Sequence, residues 1–382
     1  MARHLVLVGG GHAHLTVMLN LREYVDRGHR VTLISPSSYQ YYSGMGPGML
    51  SGIYRPQEIR FHVKKMVEDR GAKFIQDAVV RVDANQRVLF LRSGSEVPYD
   101  VVSFNTGSDV PLESLEAAKN GIYPVKPIIN LLHARTYIIQ EMRRRPLNIV
   151  VLGGGPAGVE IAGNVMRLVR DNNGQARVTL VVGSRIFHRF AGRIRERVRC
   201  CLTRTGVEVR EGAYARSVEE GSVTLTDGTK LNADVVFASM GTRPSPLFRE
   251  SGLPTGDDGG LLVNAHLQCT KHPEIFGGGD CISLVGHDLE KVGVYAVRQN
   301  PILHHNLFAA LEDGVLRSFR VRGRYHYTYL LIFNMGDGTG MLRKGFLLMN
   351  GKPAFRLKDF IDRRFMRTFQ VSGELDEPEG GL

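Results

Sequence analysis

The chain has 382 residues, of which 43% are hydrophobic and 23% are charged, and this composition excludes a disordered or fibrous protein. Its formal net charge of +11 favours anionic partners such as nucleotides, anionic lipid or nucleic acid. No apolar run is long enough to span a bilayer and the first residues lack the pattern of a signal peptide, so a cytoplasmic protein is expected.

The first 34 residues predict a strand, a glycine turn, a helix and a second strand. An apolar run leads into three glycines at 9–11, and His14 stands where the third glycine of a G-x-G-x-x-G turn would be. We expect this unit to bind a dinucleotide. His12 and His14 are candidates for contact with its phosphates, and the alternative for both is a packed or solvent-facing histidine.

Residues 148–182 repeat this pattern. Gly153, Gly155 and Gly158 follow an apolar strand and open a helix, which is where a dinucleotide needs them. The first glycine makes the tight turn, the second lets the pyrophosphate approach the backbone, and the third lets the helix pack on the strand. Each copy is followed by a similar apolar segment, at 99–107 and 233–241, which indicates duplicated nucleotide-binding architecture.

Neither copy has an acidic residue at the end of its second strand, where dinucleotide-binding folds usually bind the ribose hydroxyls. Ser35 occupies that region in the first copy. In the second copy the corresponding stretch, residues 182–185, ends in Arg185. An arginine without a carboxylate fits the 2′-phosphate of NADPH, and it fits equally a site that does not discriminate between the two nucleotides.

The remaining segments predict how the chain divides into domains. A helix is expected over 128–145, ending before Pro146, and residues 326–382 predict strands at 327–333 and 345–349, a basic helix over 354–370 and a frayed tail. The expected domains are a first nucleotide unit over 1–120 and 252–325, an inserted nucleotide unit over 121–251, and a small C-terminal interface unit over 326–382.

The four cysteines, Cys200, Cys201, Cys269 and Cys281, form neither a CxxC nor a zinc-type pair. Neither a disulfide framework nor a structural metal site is therefore expected. Nucleic-acid binding is not expected either, because the sequence carries no recognition motif and anionic cofactors account for the positive charge.

Five motifs occur in an order typical of flavoproteins with two dinucleotide-binding domains: GGGHAH at 9–14, NTG at 105–107, GGGPAGVE at 153–160, SMGTRP at 239–244 and IFGGGDC at 275–281. Over roughly residues 3–370 the chain therefore resembles the pyridine nucleotide-disulfide oxidoreductase superfamily, and within it type II NADH dehydrogenases. GGGHAHL, YYSGMGPGML and IDRRFM resemble more narrowly the flavoprotein module associated with selenide, water dikinase. The implied fold is α/β, with two Rossmann-like FAD/NAD(P)-binding domains and a small α+β C-terminal domain.

The resemblance implies FAD in the first unit and NADH or NADPH in the second. Asp280 would bind the flavin ribityl hydroxyls, and the amides of Gly293 and Val294 would form a helix N-terminus facing the flavin. The implied catalytic residues are Glu160, near the nicotinamide, Gln299, beside a quinone pocket, and Lys291. The full set of cofactor-binding candidates is Gly9, Gly11, His12, His14, Ser35, Thr106, Gly107, Gly153, Gly155, Gly158, Arg185, Gly241, Gly279, Asp280, Gly293 and Val294.

The resemblance also implies a reaction, in which a hydride passes from NAD(P)H to the flavin and electrons continue to a quinone or similar acceptor. Residues 43–49 read SGMGPGM where disulfide reductases carry a CxxxxC, so dithiol chemistry of that kind is excluded. One alternative is a chalcogen oxidoreductase acting on sulfide or selenide, with Cys281 near the flavin. The other is a non-catalytic FAD-binding redox sensor or partner protein.

The basic C-terminal helix has an apolar stripe at three- and four-residue steps, formed by Leu357, Phe360, Ile361, Phe365 and Phe369. Its positive charges are Arg356, Lys358, Arg363, Arg364 and Arg367. Such a helix can lie on anionic lipid, here the inner face of the plasma membrane. Packing against the core or in a homodimer is the alternative for the same stripe.

Overall fold

The computed structural model describes residues 1–112, 115–117, 121–188, 190–321, 329–345 and 347–378. In the first third of the chain, apolar strands alternate with short helices. The strands are β1 His4–Val8, β2 Arg30–Ser35, β3 Gln40–Tyr41, β4 Arg60–Phe61, β5 Lys73–Gln76, β6 Val79–Asp83, β7 Val88–Leu91, β8 Glu96–Pro98 and β9 Val101–Phe104. The helices are α1 Leu15–Leu19, α2 Leu21–Val25, α3 Gly46–Ser51 and α4 Val63–Glu68.

The middle third repeats the alternation with longer helices. Its strands are β10 Glu116–Ala117, β11 Ile122–Pro124, β12 Leu147–Leu152, β13 Ala176–Val182, β14 Val207–Glu211, β15 Ala215–Glu219, β16 Ser222–Leu225, β17 Lys230–Asn232 and β18 Val235–Ala238. Its helices are α5 Ile129–Met142, α6 Pro156–Asp171, α7 Gly192–Arg204 and α8 Leu247–Glu250. The helix predicted over 128–145 is thus present and ends three residues early.

The last third contains β19 Leu261–Val263, β20 Ile275–Gly277, β21 Ile282–Leu284, α9 Gly293–Leu311, β22 Leu331–Asn334, β23 Gly340–Lys344, β24 Leu347–Gly351 and α10 Lys352–Phe369. The strand predicted over 345–349 is wrong in its bounds, because the chain turns at Gly345, whose φ is +57°. Two strands therefore flank the turn. Part of the strand predicted over 327–333 lies outside the described residues.

Two five-stranded parallel sheets form the frame of the molecule, in the orders β20-β9-β1-β2-β5 and β11-β18-β12-β13-β14. Residues of the central strands β1 and β12 are almost all buried, as expected for parallel strands covered on both faces. The strand order reverses at β1 and at β12, where ligands bind in such sheets. The predicted α/β fold with two Rossmann-like units is confirmed.

Several smaller sheets accompany this frame, two of them with three or more strands within residues 79–232. Strands β6, β7 and β8 form an antiparallel sheet after β5. The second small sheet has the order β10-β15-β16-β17. In it β10, from the segment assigned on sequence to the first unit, pairs with β15 of the inserted segment.

The C-terminal segment folds into an antiparallel sheet, β22-β23-β24, against which α10 packs. The outer face of α10 presents Leu357, Phe360 and Ile361, which are 37%, 57% and 38% exposed. Phe365 and Phe369, predicted on the same face, turn inward instead. The Phe365 ring lies 4.9 Å from that of Tyr42, and the Phe369 ring lies 6.3 Å from that of Phe61. These aromatic rings of the first unit help to bury Phe369 and partly cover Phe365.

Residues 371–378, here called the C-terminal strap, are bonded to the first unit at Glu377, whereas the sequence predicted a frayed tail. Glu377 bonds Arg60 at 2.9 Å and His62 at 2.5 Å, and Arg60 is only 1% exposed. Glu374 is also buried and accepts a hydrogen bond from the backbone N–H of Ser372 at 3.0 Å. Residues 379–382 lie outside the described part of the chain.

Candidate functional site

The first glycine turn leaves no room for side chains at two of its three glycines. Gly9 has φ of +87°, and a Cβ there would lie 2.4 Å from the carbonyl oxygen of Asn105. At Gly11 a Cβ would lie 1.8 Å from Oδ1 of Asn105. At Gly10 it would meet only the methyl groups of Val63, at 3.1 Å. The backbone between β1 and α1 therefore carries no side chains at these positions, and such a backbone allows a phosphate group to approach its N–H groups closely.

The structure separates the two histidines of this turn. His14 is fully buried, with Nδ1 2.7 Å from the carbonyl oxygen of Gly9 and Nε2 2.8 Å from Oγ of Ser103. Both ring nitrogens are therefore engaged inside the core, so the expected phosphate contact of the His14 side chain is wrong. The imidazole fills the space that a third glycine would leave between helix and strand.

His12 keeps a free ring nitrogen. Its Nε2 is buried and has no hydrogen-bond partner among the described residues. Its ring lies 5.4 Å from that of Tyr42 and 6.2 Å from that of Phe365. Burial lowers the pKa of His12 to about 4, so the imidazole is neutral at physiological pH. A buried polar atom without a partner at a candidate phosphate site indicates that a ligand completes it.

Asp280 lies on the turn after β20, where Lys126 and Ser108 bond its Oδ2 at 2.6 and 3.0 Å. Asn105 joins this turn to the first glycine turn: its amide donates to the carbonyl oxygen of Gly278 and its Oδ1 accepts from the N–H of Ala13 at 3.3 Å. Sequence reasoning missed Asn105 as a functional residue, although it opens the NTG motif. It also missed Lys126, for which no motif gave a signal.

Gln299 and Lys291 hold the backbone around Asp280. Gln299 is 1% exposed, and its Oε1 accepts from the N–H of Gly279 at 2.7 Å. Gln299 therefore orients the turn and does not line an open quinone pocket. The ammonium group of Lys291 bonds the carbonyl oxygen of Ile282 and the carboxylate of Asp258, each at 2.5 Å. It thus fixes the approach to α9, which begins at Gly293 and continues with Val294.

The second glycine turn is equally crowded. Gly153 has φ of +115°, and a Cβ there would lie 2.4 Å from the carbonyl oxygen of Ser239. A Cβ at Gly158 would lie 1.8 Å from the carbonyl oxygen of Gly153, whereas Gly155, the N-cap of α6, faces open space. The turn between β12 and α6 therefore offers exposed backbone beside a helix N-terminus, the arrangement that binds a pyrophosphate.

The other predicted binding residues follow strands of the two parallel sheets. Thr106 and Gly107 come after β9, and Gly241 comes after β18, at the edges that carry the two glycine turns. Ser35 ends β2 and is buried, and its hydroxyl donates to the carbonyl oxygen of Ser37 at 3.0 Å. Arg185 follows β13 and is exposed.

A charge cluster between α6 and α10, here called the buried charge cluster, consists of buried Lys358 and Asp362 and of partly buried Glu160 and Tyr42. The ammonium group of Lys358 bonds Oδ2 of Asp362 and the carbonyl oxygen of Gly44, each at 2.7 Å. The Tyr42 hydroxyl donates to Oδ1 of Asp362 at 3.1 Å. The cluster thus brings a helix of the second unit, the C-terminal helix and the loop before α3 together.

Burial raises the pKa of Glu160 to about 7, and the nearby Lys358 opposes that rise. Burial also acts against the charge of Lys358, but Asp362 and Glu160 more than compensate, so the pKa of Lys358 lies above its usual value. Oε1 of Glu160 accepts from the backbone N–H of Asn334 at 2.7 Å. The cluster combines a permanent cation with a carboxyl group that can gain or lose a proton near neutral pH.

Polar contacts around α6 tie all three segments of the chain together. The amide of Asn164 donates to the carbonyl oxygens of Glu160 and Asn334, at 2.8 and 3.2 Å, and its Oδ1 accepts from the Ser51 hydroxyl at 2.8 Å. One residue earlier, a Cβ at Gly163 would lie 2.3 Å from the carbonyl oxygen of Met335. The C-terminal unit therefore rests directly on the helix that carries Glu160.

All four cysteines have free thiols. Cys281 is fully buried with Sγ 3.3 Å from the carbonyl oxygen of Gly278, and burial raises its pKa. Burial together with Asp337 raises the pKa of Cys201 to about 11. Neither thiol is poised to form a nucleophilic thiolate.

Over the described ranges, no cluster of His, Cys, Asp and Glu side chains is arranged to hold a metal ion. Among the same residues, none of the helices has the length and apolar character of a membrane span.

The sequence matches a family model described as pyridine nucleotide-disulphide oxidoreductase over residues 3–306. A ferroptosis suppressor protein 1 from Taeniopygia guttata is 26% identical over 291 residues, which cover 71% of this chain and 72% of that protein. An external alternative NADH-ubiquinone oxidoreductase, mitochondrial, from Yarrowia lipolytica is 22% identical over 321 residues, 72% of this chain and 55% of that protein. The match thus spans little more than half of the yeast relative.

Solved structures with the same fold extend over the whole chain. The NDH2 of Plasmodium falciparum in complex with NADH superposes with a TM-score of 0.78 at 14% identity, covering 97% of this chain and 99% of that chain. The sulfide:quinone oxidoreductase of Aquifex aeolicus gives a TM-score of 0.77 at 16% identity, covering 97% and 92%. These likenesses establish the shared fold, including the C-terminal unit.

Proposed function

The chain belongs to the pyridine nucleotide-disulphide oxidoreductase family, and from that premise we propose that it is an FAD-dependent NAD(P)H dehydrogenase that passes electrons to a quinone. The observation that carries the proposal is the buried charge cluster, in which Lys358 of α10 bonds the Gly44 loop of the first unit and lies near Glu160 of the second unit. Relatives named NADH-ubiquinone and NAD(P)H-ubiquinone oxidoreductases support this donor and acceptor.

The first unit fits FAD on two observations. Gly9 and Gly11 leave bare backbone where the pyrophosphate must approach, and the orphaned Nε2 of His12 lies in the same turn. Asp280 would hold the ribityl hydroxyls, and the N-terminus of α9 at Gly293 would face the ring system. When bound, the flavin supplies hydride acceptance from a nicotinamide and electron delivery to a quinone.

The residues of the buried charge cluster would act through their charges. Glu160 lies in the second turn of α6, whose N-terminus takes the pyrophosphate of NAD(P)H, so its carboxylate would stabilise the positive charge that the nicotinamide ring gains as hydride leaves. Lys358 would stabilise the negative charge that arrives on the acceptor side. Asp362 and the carbonyl oxygen of Gly44 hold its ammonium group in place, and the Tyr42 hydroxyl donates to Asp362.

An anaerobic visible spectrum tests this function directly. We expect NADH or NADPH to bleach the flavin band near ~450 nm within one turnover, and a short-chain ubiquinone to restore it. Bleaching by sulfide alone would replace the proposal with the chalcogen oxidoreductase, which the buried Cys281 disfavours. A bound flavin that no donor bleaches would replace it with a redox sensor or partner protein.

The rate of flavin reduction is expected to rise with pH through about 7, because the pKa of Glu160 is raised to about 7 and its ionised form is the stabilising one. Glu160→Gln should hold the rate at the low-pH plateau, roughly tenfold or more below the wild-type maximum. Stopped-flow traces between pH 5.5 and 9 measure both. If the inflection in the pH dependence of the reduction rate persists in Glu160→Gln, the inflection belongs to the titration of another group.

The same shift predicts a change in stability. An unfolded glutamate ionises at a lower pH than Glu160 does in the fold, so between these values the folded chain binds more protons than the unfolded chain. This residue's contribution to the free energy of unfolding therefore falls as pH rises towards 7 and is constant above it. Urea unfolding of wild type and Glu160→Gln across this range isolates that contribution.

The outer face of α10 supports a proposal of peripheral contact with anionic membrane. Exposed Leu357, Phe360 and Ile361 lie beside exposed Arg356 and Arg364 on that face. Replacing the three apolar residues by serine should weaken sedimentation with phosphatidylserine-containing vesicles by about tenfold or more, because apolar insertion is lost.

The matched control for this face is Val80→Ser, since Val80 is 46% exposed on β6, far along the chain from α10. Unchanged sedimentation of the triple variant would contradict membrane contact. A homodimer through the same face would appear as a change of elution volume in size-exclusion chromatography of the triple variant, with no dependence on vesicles.

A further inference from the structure

The ribose end of the second dinucleotide site offers no available carboxylate. Strand β13 ends at Val182, which pairs in register with Glu211 of β14. Glu211 is already committed: Oε1 accepts from the backbone N–H of Ile186 at 2.7 Å and Oε2 is paired with Arg199. The acidic side chain that binds the two ribose hydroxyls of NADH in such folds thus has no counterpart here.

A short fixed loop follows β13 and carries two exposed polar side chains, Ser184 and Arg185. The backbone N–H of Phe187 donates to the carbonyl oxygen of Gly154 at 2.8 Å, which fastens the loop to the second glycine turn. The Phe187 ring is buried and packs 5.0 Å from that of Phe333. Arg185 makes no ion pair within the described ranges, so its guanidinium is available to an anion beside the pyrophosphate site.

An exposed aromatic ring adjoins this loop. Tyr214 follows β14 and is 63% exposed. A Cβ at Gly183 would lie 1.9 Å from Cε1 of Tyr214, so the ring packs directly onto the backbone of Gly183. A flat ring next to the end of β13 provides a stacking surface for a base.

We propose that the second unit selects NADPH over NADH, with Arg185 and Ser184 binding the 2′-phosphate and Tyr214 stacking on the adenine. The guanidinium is planar, permanently charged and able to form paired hydrogen bonds with a phosphate, and the Ser184 hydroxyl adds a neutral donor. NADH carries a hydroxyl at this position and gains no ion pair. The inference rests on the proposed function, because it names the nucleotide that serves as donor.

Calorimetric titration of the FAD-loaded protein with 2′,5′-ADP and with 5′-AMP tests the phosphate site without the reaction. We expect 2′,5′-ADP to bind about tenfold or more tightly than 5′-AMP, and Arg185→Glu to abolish that ratio. Arg92→Glu, which makes the same charge change at an exposed residue of the first unit, should leave the ratio unchanged. Equal binding of the two fragments, or a ratio that survives Arg185→Glu, would overturn the proposal.

Two further measurements separate this inference from the proposed function. Anaerobic titration should show faster flavin reduction by NADPH than by NADH at equal low concentration, with the preference lost in Arg185→Glu. If 2′,5′-ADP binds tightly and neither nucleotide reduces the flavin, the proposed function fails and the 2′-phosphate site stands. Tyr214→Ala should weaken both fragments by about tenfold at a constant ratio, and unaltered binding would remove Tyr214 from the site.

Discussion

Gly11→Ala is expected to yield protein with less than about a tenth of the wild-type flavin content. The added Cβ would lie 1.8 Å from Oδ1 of Asn105, which must move and give up its bonds to Ala13 and Gly278. Those bonds join the first glycine turn to the turn that carries Asp280. The ratio of absorbance near ~450 nm to that at 280 nm in the purified protein measures flavin content.

Gly10→Ala is the matched control, because Gly10 is the neighbour of Gly11 in the same turn and the substitution is the same. A Cβ at Gly10 meets only the methyl groups of Val63, at 3.1 Å, and a valine side chain can shift by a few tenths of an ångström. It should retain most of its flavin. Equal flavin content in the two variants would contradict the close approach of Asn105 to Gly11, and far-UV circular dichroism separates flavin loss from unfolding.

Lys358→Met is expected to lower the free energy of unfolding by about 3–5 kcal/mol. The variant leaves buried Asp362 and partly buried Glu160 without their cation, and the methionine cannot donate to Gly44. The free energy of unfolding is measured by guanidinium titration followed by circular dichroism, since the chain has no tryptophan whose fluorescence could be used.

The double variant Lys358→Met/Asp362→Leu should regain much of that loss, because Asp362 no longer lacks its cation and the remaining carboxyl group, Glu160, can be neutralised by a proton near pH 7. Lys352→Met is the control on the same helix, since Lys352 is exposed, and it should change stability by no more than about 0.5 kcal/mol. If Lys358→Met were as stable as Lys352→Met, the carboxylates of the cluster would be hydrated and their stability would not depend on the Lys358 charge.

The frame of the fold could be predicted from the sequence because each of its signals is local. Buried runs such as residues 4–8 and 147–152 are apolar nearly throughout, which identifies strands covered on both faces. The glycine turns follow those strands directly. Gly158, in particular, is required by the close approach of α6 to the carbonyl oxygen of Gly153, only a few residues earlier in the chain.

The buried charge cluster could not be predicted in this way. Lys358 and Gly44 are 314 positions apart, and nothing in either neighbourhood indicates the other. On a helical pattern, Lys358 and Asp362 resemble an ordinary surface pair at i, i+4 spacing. The prediction of a frayed tail was wrong for a related reason: the tail is polar and glycine-rich, but buried Arg60 and partly buried His62, both distant in sequence, are partners for Glu377.

The apolar stripe of α10 is a second case in which the local sequence does not indicate the tertiary partner. Periodicity assigned Leu357, Phe360, Ile361, Phe365 and Phe369 to one face, and it could not tell which side of that broad face meets protein. The first unit supplies Phe61 and Tyr42 to cover Phe365 and Phe369, and the described protein surface offers no such cover for Phe360.

Helix α10 also limits how this protein can be engineered. Phe360 on its outer side and Lys358 on its inner side are two residues apart, separated by no more than the helix diameter of about 10 Å. Deleting the helix to obtain a less aggregation-prone sample would therefore remove the Lys358 cation near Glu160 together with the exposed apolar surface. Point substitutions on the outer side are the way to alter handling while the chemistry is preserved.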